Sequence, residues 1–367
     1  MVYTDIQTLR GLGSPIDYGS GIEYASGLLQ ESISLASKNT ALQIGLWLNG
    51  TAGTRDIVAG RVLLQDNIRA LVRYIHHCPA GTVFLRVGYE FDNPGFHYAD
   101  DPASYQAAYR IIVDACRQHE LCRKKTVFVW HSWAAGLPGD TKLGDFYPGD
   151  DHVDWIGVSL FQQFYANVTG AGSLDTVTAV LDFAREHDKP TMIAESTPFG
   201  GIDSLVDPWN DWYQPCLDLI DAYDISMWSY INCAWDTQPM WRYVGFGDTR
   251  LSTNATVMNE WNRKVLQNPR FLLAGSVCQT ESSSHETTGL LLLFDSKLAF
   301  LGGSHQASPP IYLAGAIVIA LMGICFRFLC VSSANHGTEY AALADDGENG
   351  IDHVGVKHNR TGYGTIQ

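Results

Sequence analysis

The sequence predicts a (β/α)8 TIM barrel that lacks its first strand in this chain and is followed by a C-terminal transmembrane helix. Over residues 1–270, short apolar strand patterns alternate with helical patterns, as in a parallel sheet. Polar or aromatic residues end several of the strands, which is where barrel enzymes carry their active sites. A long apolar segment near the C-terminus is the third observation. A doubly wound sheet is the alternative, but no glycine-rich phosphate loop marks one.

The overall charge excludes one class of partner. The chain has 39 acidic residues against 24 basic ones, for a net charge of −15. A nucleic-acid partner requires a basic surface, so we expect none. The cysteine spacings match no zinc-ligand pattern, and we expect neither a metal nor a cofactor.

Seven segments have the pattern of strands, and five have the pattern of helices. The predicted strands are Val2–Ile6, Leu42–Asn49, Thr82–Glu90, Thr126–Trp133, Val153–Phe161, Pro190–Pro198 and Ile225–Asn232. The predicted helices are Asp56–His77, Asp101–Glu120, Ser173–His187, Trp212–Ala222 and Val257–Leu266. If Glu90 ends the fourth strand of the barrel, nothing remains for the first strand. We therefore expect seven strands or fewer, with a gap beside the last one.

Four strands end in residues suited to chemistry: Glu90, His131, Glu195 and Trp228. The carboxyl ends of parallel strands meet on one face, so these side chains are expected to converge. Arg86 shares a strand face with Glu90, because side chains alternate along a strand. A buried arginine beside a carboxylate is costly unless it serves a function, although a pair that only fixes register is the other interpretation.

Several of these segments resemble glycoside hydrolase family 26, the β-mannanase family of retaining barrel glycosidases. Arg86–Glu90 resembles the arginine-to-glutamate motif of that family's fourth strand. Tyr147–Val158 closely resembles its approach to the sixth strand. Ile193–Glu195 resembles the strand that carries the nucleophile, and Met227–Tyr230 resembles the eighth strand with its tryptophan.

The resemblance implies a retaining hydrolase of a β-linked glycan, β-mannan or a related polymer. Glu195 would be the nucleophile and Glu90 the acid/base, because retention requires two carboxyl groups about 5–5.5 Å apart. The candidate substrate-binding residues are Arg86, Tyr89, Trp47, Trp130, His131 and Trp228. Taken singly, each tryptophan is more typical of a core than of a sugar platform.

Two positions depart from the family pattern. Tyr89 stands where the family has a histidine before the acid/base, and Phe161 stands where it has a tyrosine that positions the nucleophile. The alternative function is therefore a catalytically inactive, membrane-anchored carbohydrate-binding protein on the same barrel.

Beyond residue 270 the composition changes. Residues 271–310 have the pattern of a Ser/Thr-containing stalk, and residues 332–367 that of a disordered cytosolic tail. Between them, Ile311–Val331 is an apolar run in which Arg327 is the one charged residue. At ~1.5 Å per residue this run spans ~30 Å, one bilayer core. A buried core helix is the weaker interpretation, because no substantial domain follows.

The sequence predicts that the barrel lies outside the cytosol, at the cell surface or in an endosome or lysosome. Within residues 1–270, three glycosylation sequons begin at Asn49, Asn167 and Asn254. Six cysteines precede the apolar run, an even number that suits disulfides in an oxidising compartment. The first residues have no signal-peptide pattern. We therefore expect either that the apolar run acts as a signal anchor or that the sequence is truncated at its N-terminus.

Overall fold

The protein folds into a parallel β-sheet whose strands follow one another in sequence order. A computed structural model describes residues 1–9, 12, 41–168, 172–237, 241–272 and 290–292. The strands are β1 Val2–Asp5, β2 Ala41–Trp47, β3 Thr82–Val87, β4 Thr126–Ser132, β5 Trp155–Leu160, β6 Thr191–Ser196, β7 Met227–Ser229 and β8 Leu290–Leu292. Parallel pairing requires a crossover after each strand, and most crossovers here contain helices.

The helices lie between successive strands, with the last one after β7. They are α1 Gly50–Val58, α2 Val62–His77, α3 Pro102–Arg117, α4 Glu120–Lys125, α5 Leu174–Glu186, α6 Gln214–Tyr223 and α7 Ala255–Trp261. A π-helical turn, Trp209–Tyr213, precedes α6, and a second one, Asn262–Leu266, continues α7. Between β4 and β5 the crossover holds a short 3-10 helix, Leu143–Asp145.

The sheet curls so that distant strands face each other across a common interior. In a flat sheet, β2 and β7 would be five strand spacings apart, about 24 Å. Instead, Ser229 on β7 donates a hydrogen bond of 3.0 Å to the side chain of Gln43 on β2. Gln43 in turn donates to the carbonyl of Ala194 on β6 at 2.9 Å. These contacts across the interior give the sheet the curvature of a barrel.

Neighbouring side chains near the carboxyl ends of β4 and β7 lie on opposite faces of the sheet. On β4, His131 faces the interior, whereas Trp130 is buried against Phe183 of α5, with ring centroids 5.4 Å apart. On β7, Ser229 faces the interior and Trp228 packs against Trp261 of α7 at 5.2 Å. The outer side chains bind the helices to the sheet, and the inner side chains are free to form a site.

The predicted parallel barrel-like sheet is confirmed, but the predicted number of strands is wrong. Eight strands pair among the described residues, because Leu290–Leu292 forms β8 and pairs parallel with Met227–Ser229. The sequence had predicted a gap at this position beside β7, where β8 in fact pairs. Three consecutive leucines show neither alternation nor a turn signal, so the sequence did not mark them as a strand.

The predicted helix Asp56–His77 is two helices rather than one. The chain breaks at Gly60, which adopts a left-handed conformation with φ of 69°. Before the break, Ala59 and Gly60 donate their backbone N–H groups to the carbonyls of Arg55 and Ile57. A left-handed glycine directly after a helix is a common terminator, because only glycine adopts that conformation without steric cost.

The predicted stalk, transmembrane helix and cytosolic tail fall largely outside the described residues. Of residues 271–367, the structure describes Phe271, Leu272 and Leu290–Leu292. Among the described helices, none combines the length and apolarity that a bilayer crossing requires. The run Ile311–Val331 lies outside the described residues.

One disulfide is present among the described cysteines. Cys116 near the end of α3 bonds to Cys122 in α4, with Cα atoms 5.4 Å apart. Cys78 and Cys216 are buried thiols. Cys278 lies outside the described residues.

We expect Gly45→Ala on β2 to destabilise the fold. A Cβ atom at position 45 would lie 2.8 Å from the ring of Tyr3 and 2.9 Å from Nη2 of Arg86. Both contacts are inside van der Waals distance, and Arg86 is fully buried and cannot swing into solvent. Overpacking of this kind costs about 1–3 kcal/mol.

Urea denaturation measures the change in the free energy of unfolding. Gly144→Ala is the matched control, because a Cβ atom there would meet open space. Equal stabilities of the two variants would contradict the prediction.

Candidate active site

Glu90 reaches the interior through a turn rather than along the strand. β3 ends at Val87, and both Gly88 and Glu90 adopt left-handed backbone conformations, with φ of 57° and 54°. The N–H of Phe91 donates to the carbonyl of His131, and the N–H of Asn93 donates to the carbonyl of Glu90. A left-handed glutamate is uncommon, and such positions persist only where surrounding contacts hold them. The shared strand face predicted for Arg86 and Glu90 therefore ends before Glu90.

Glu195 lies near the end of β6, opposite Ser159 of β5. The pairing of these strands shifts by one residue: Val158 pairs with Ile193, and Ser159 then pairs with Glu195. Ala194 is therefore the extra residue of a β-bulge. Without this shift Ser159 would be opposite Ala194, so the bulge brings the serine hydroxyl and the Glu195 carboxyl into register.

The two carboxyl groups lie close to each other. One oxygen of Glu90, one oxygen of Glu195 and one ring nitrogen of His131 all lie within 4.8 Å of one another. All three side chains are buried, with exposed fractions of 3%, 7% and 0%. An inverting glycosidase holds its carboxyl groups ~6.5–9.5 Å apart to admit a water molecule, whereas a retaining one holds them closer. This separation is on the retaining side.

Arg86 is the fixed cation of the site. It is fully buried, and its Nη1 donates to Oε1 of Glu195 and lies 3.1 Å from Nδ1 of His131. Its guanidinium carbon lies over the rings of Tyr3 and Tyr89, 5.1 and 5.3 Å from their centroids. Burial is the largest single influence and lowers the pKa of Arg86, but Glu195 and Tyr3 together outweigh it, so the pKa stays above its ordinary value.

Glu90 has mainly neutral partners. Ser159 Oγ donates to Glu90 Oε1 at 2.7 Å, and Asn93 Nδ2 donates to Oε2 at 3.2 Å. Burial raises the pKa of Glu90 well above the ordinary carboxyl value, and repulsion from Glu195 raises it further. The hydrogen bonds and Arg86 oppose this rise without cancelling it. Glu90 thus retains its proton towards neutral pH.

His131, predicted as a sugar contact, uses both ring nitrogens within the protein. Nδ1 faces Arg86 and Nε2 lies 3.0 Å from Ser159 Oγ. Burial, followed by the charge of Arg86, lowers the pKa of His131 well below its usual value, so the ring is neutral. Glu90, His131 and Glu195 have the composition of a metal site, but a cation there would have to compete with the guanidinium already between them.

Of the other predicted sugar contacts, Tyr89 lies beside the two carboxyl groups. Trp47 lies near Tyr89. The ring of Tyr89 is 5.4 Å from that of Phe96, and the ring of Trp47 is 6.1 Å from the same phenylalanine. Trp130 and Trp228 lie elsewhere, buried between the sheet and its helices with 0% and 1% of their surface exposed. His131, the neighbour of Trp130, faces the site, whereas Ser229, the neighbour of Trp228, faces Gln43 in the interior.

A second aromatic group, which sequence reasoning missed, lies near the site. We call it the aromatic rim; it comprises Trp133, Phe161, Trp235 and Phe246. Trp133 and Phe161 are 5.1 Å apart, Phe161 and Phe246 5.5 Å, and Trp235 stacks on Phe246 at 4.7 Å. The rim packs against Met1, whose sulfur contacts Nη2 of Arg86. Trp133 and Phe161 directly follow β4 and β5. This position at the carboxyl ends of two strands was the sequence signal that could have identified them as site residues.

Asp92 holds the loop that carries Trp133. Its buried carboxylate accepts hydrogen bonds from the hydroxyl of Ser132 at 2.8 Å and from the backbone N–H groups of Trp133 and Ala135 at 2.6 and 3.1 Å. Asp92 and Glu90 belong to the same turn after β3. The turn that carries Glu90 therefore also fixes the start of the rim.

Comparison with known proteins indicates carbohydrate-active relatives. No family model matches the chain. It is 28% identical over 302 residues to a β-1,3-xylanase from Vibrio sp., covering 74% of this chain and 60% of that protein. It is also 28% identical over 302 residues to a β-1,3-xylanase from Alcaligenes sp., covering 74% and 58%. The chain thus spans about 60% of the length of these curated relatives.

The fold is similar to that of a solved β-mannanase of glycoside hydrolase family 26 from Bacteroides ovatus. The two superpose with a TM-score of 0.54 at 16% sequence identity, over 77% of this chain and 84% of that one. At this identity the likeness shows the fold alone. The family 26-like barrel expected from the strand motifs is confirmed at that level.

The raised pKa of Glu90 predicts how the stability of the protein depends on pH. An unfolded glutamate titrates near pH 4.3, whereas folded Glu90 binds its proton to higher pH. Between those values the folded state binds more protons, so Glu90 lowers the free energy of unfolding as pH rises. Glu90→Gln removes this titration. The free energy of unfolding of the variant, minus that of the unmodified protein, should therefore increase from pH 4 to pH 8.

Chemical denaturation across that pH range measures the difference. Glu186→Gln, at an exposed position on α5, is the control and should keep the pH slope of the unmodified protein. If the stability of Glu90→Gln changes with pH as that of the control does, folded Glu90 titrates like an unfolded glutamate, and the prediction is wrong.

Proposed function

We propose that the protein is a retaining glycoside hydrolase that cleaves a β-linked glycan. One observation carries the proposal: two buried glutamates at the carboxyl ends of β3 and β6 lie within 4.8 Å in unlike environments. Glu195 is paired with a buried guanidinium, whereas Glu90 is held by Ser159 and Asn93. Environments that separate the pKa values of two carboxyl groups assign one to the acid role and the other to the nucleophile role.

In the first step, Glu195 attacks the anomeric carbon of the sugar. The bond from that carbon to the leaving-group oxygen breaks, and Glu90 transfers its proton to that oxygen. A covalent glycosyl–enzyme ester on Glu195 is formed, and Glu90 is left ionised. Arg86 remains in hydrogen-bond contact with the Glu195 carboxyl, and so holds the nucleophile in place throughout.

In the second step, Glu90 acts as a base. It takes a proton from a water molecule, whose oxygen attacks the same anomeric carbon and releases Glu195 as a carboxylate. Two inversions at one carbon give net retention of configuration. Glu90 regains its proton, which its raised pKa favours, and the cycle is closed.

We propose β-1,3-linked xylan as the first substrate to test and β-mannan as the second. The two curated relatives are β-1,3-xylanases, and they share more sequence with this chain than the mannanase of similar fold does. Aromatic side chains lie in this region: Tyr89 lies close to both carboxyl groups, and the aromatic rim packs against Met1, which contacts Arg86. Flat sugar faces stack on such rings.

The alternative remains a protein of the same fold that binds a carbohydrate without cleaving it. Two features of the site support this alternative. Phe161 packs in the aromatic rim and has no hydroxyl with which to position Glu195. Tyr89 stacks on the Arg86 guanidinium instead of presenting an imidazole. Turnover of a β-glycan by the full chain distinguishes the two functions, because a binding protein would show affinity alone.

The two glutamates should respond differently to substitution. We expect Glu195→Gln to abolish turnover, because no other nucleophile replaces it. Glu90→Gln should lower kcat by about 10²–10⁴-fold on a natural glycan, the usual contribution of a general acid. It should lower the glycosylation rate far less on an aryl β-glycoside with a dinitrophenyl leaving group, which departs without a proton.

Steady-state kinetics on both substrate types, with product configuration followed by NMR, measure these effects. Glu186→Gln is again the matched control and should retain full activity. Equal losses on both leaving-group types in Glu90→Gln would contradict the acid/base role, and an inverted product would contradict the mechanism.

We further propose the domain arrangement and location that the sequence predicts. Residues 1–270 would form the barrel outside the cytosol, 271–310 a stalk, 311–331 a single membrane span and 332–367 a cytosolic tail. The sequons of the barrel are compatible with this. Asn167 is exposed, and Asn254 caps α7 through its Oδ1, which leaves Nδ2 available for a sugar.

Expression of the full chain in eukaryotic cells tests that arrangement. We expect a product that resists carbonate extraction and carries N-glycans, and that loses a glycan with Asn167→Gln or Asn254→Gln. Asn268→Gln, outside any sequon, should leave the glycan count unchanged. A membrane-inserted product without glycans would contradict the orientation.

A further inference from the structure

We infer that His131 and Ser159 are positioning residues that determine which oxygen of Glu90 carries the catalytic proton. The inference rests on the proposed function and deepens it, because it assigns a direction to every hydrogen bond that joins the two glutamates. The route runs from Arg86 Nη1 to His131 Nδ1 at 3.1 Å, from His131 Nε2 to Ser159 Oγ at 3.0 Å, and from Ser159 Oγ to Glu90 Oε1 at 2.7 Å.

The direction of this route follows from its first member. A guanidinium has donors and no acceptor, so His131 Nδ1 must accept from Arg86. A neutral imidazole has one donor and one acceptor, so its proton is on Nε2 and is donated to Ser159. The serine hydroxyl has one proton, which then points to Glu90 Oε1. Arg86, His131 and Ser159 are fully buried, so water does not offer them other partners.

The consequence for Glu90 concerns its two oxygens. Oε1 receives the serine proton and is held as an acceptor, so the acidic proton of Glu90 belongs on Oε2. Asn93 Nδ2 donates to Oε2 at 3.2 Å, a longer bond that occupies one lone pair and leaves the other for a proton. The hydrogen-bond route thus fixes the proton on one oxygen of Glu90 before the substrate arrives. The hydrogen bonds around Glu90 then do not have to rearrange during the reaction.

The charged and titratable groups around Glu90 come from several elements. Glu195 faces it from β6, Arg86 from β3 and neutral His131 from β4, and Tyr89 adjoins it in the same turn. Burial and Glu195 hold the proton on Glu90, whereas the Ser159 donor and Arg86 favour the carboxylate. Removal of the serine hydroxyl should therefore shift the titration of Glu90 to higher pH.

Direct titration of Glu90 in Ser159→Ala tests the inference without a substrate. Carbon-13 NMR of the full chain labelled at glutamate carboxyls, with Glu90 assigned by difference from Glu90→Gln, gives its midpoint. We expect Ser159→Ala to raise that midpoint by about one pH unit, as loss of one donor to a carboxylate does. Ser159→Thr keeps the hydroxyl, so its Glu90 midpoint should return most of the way to that of the unmodified protein.

Ser229→Ala is the matched control. Ser229 is a buried, inward-facing serine on β7 that donates to neutral Gln43, so its loss should leave the Glu90 midpoint unchanged. An unchanged midpoint in folded Ser159→Ala, or equal shifts in both alanine variants, would overturn the inference.

The tautomer of His131 is a second readout that needs no variant. Long-range proton–nitrogen NMR should show a neutral ring with its proton on Nε2 throughout pH 5–8. A proton on Nδ1 would overturn the inference whether or not Ser159→Ala folds. If the midpoint and the tautomer agree with the inference but no β-glycan is cleaved, the proposed function fails and the hydrogen-bond route stands.

Discussion

The buried guanidinium of Arg86 is the constraint on which the rest of the site depends. A cation without solvent is costly unless nearby partners offset the hydration that it has lost. Here Glu195 supplies the opposite charge, His131 an acceptor, and Tyr3 and Tyr89 the faces of their rings. The space for this arrangement comes from β2, where a glycine at position 45 leaves room that any side chain would fill. Elements from five places in the chain therefore meet at one group.

Two residues of the same type acquire different chemistry from that group. Arg86 donates directly to Glu195, but it reaches Glu90 only through the side chains of His131 and Ser159. Distance and intervening neutral groups weaken the stabilisation that a cation gives to a negative charge. Burial therefore dominates at Glu90 and raises its pKa. The different roles proposed for Glu90 and Glu195 follow from their positions relative to one cation.

The large outer side chains of the strands keep the inner ones in place. Trp130 stacks on Phe91 at 4.3 Å, and Phe91 follows Glu90 in the turn after β3. Trp228 donates to Ser196, the neighbour of Glu195, at 2.8 Å. The outer layer is thus in direct contact with residues adjacent to both carboxyl groups. A rigid support of this kind holds the carboxyl groups to the narrow geometry that bond transfer requires.

The sequence by itself determined the parallel sheet, its strand order and the segments that carry Arg86, Glu90 and Glu195. Local patterns contain that information, because apolar runs and their polar ends are properties of consecutive residues. Only the tertiary structure decided which side chains meet. His131 contacts Arg86 and Ser159 because β4 lies between β3 and β5, and Ser159 pairs with Glu195 because of a one-residue bulge. Trp130 and His131 are adjacent in sequence yet lie on opposite faces, and nothing local to them tells which face is the interior. Pairing register, bulges and the side on which helices pack are settled between segments far apart in sequence, so the inner and outer roles of neighbouring residues appear only in the fold.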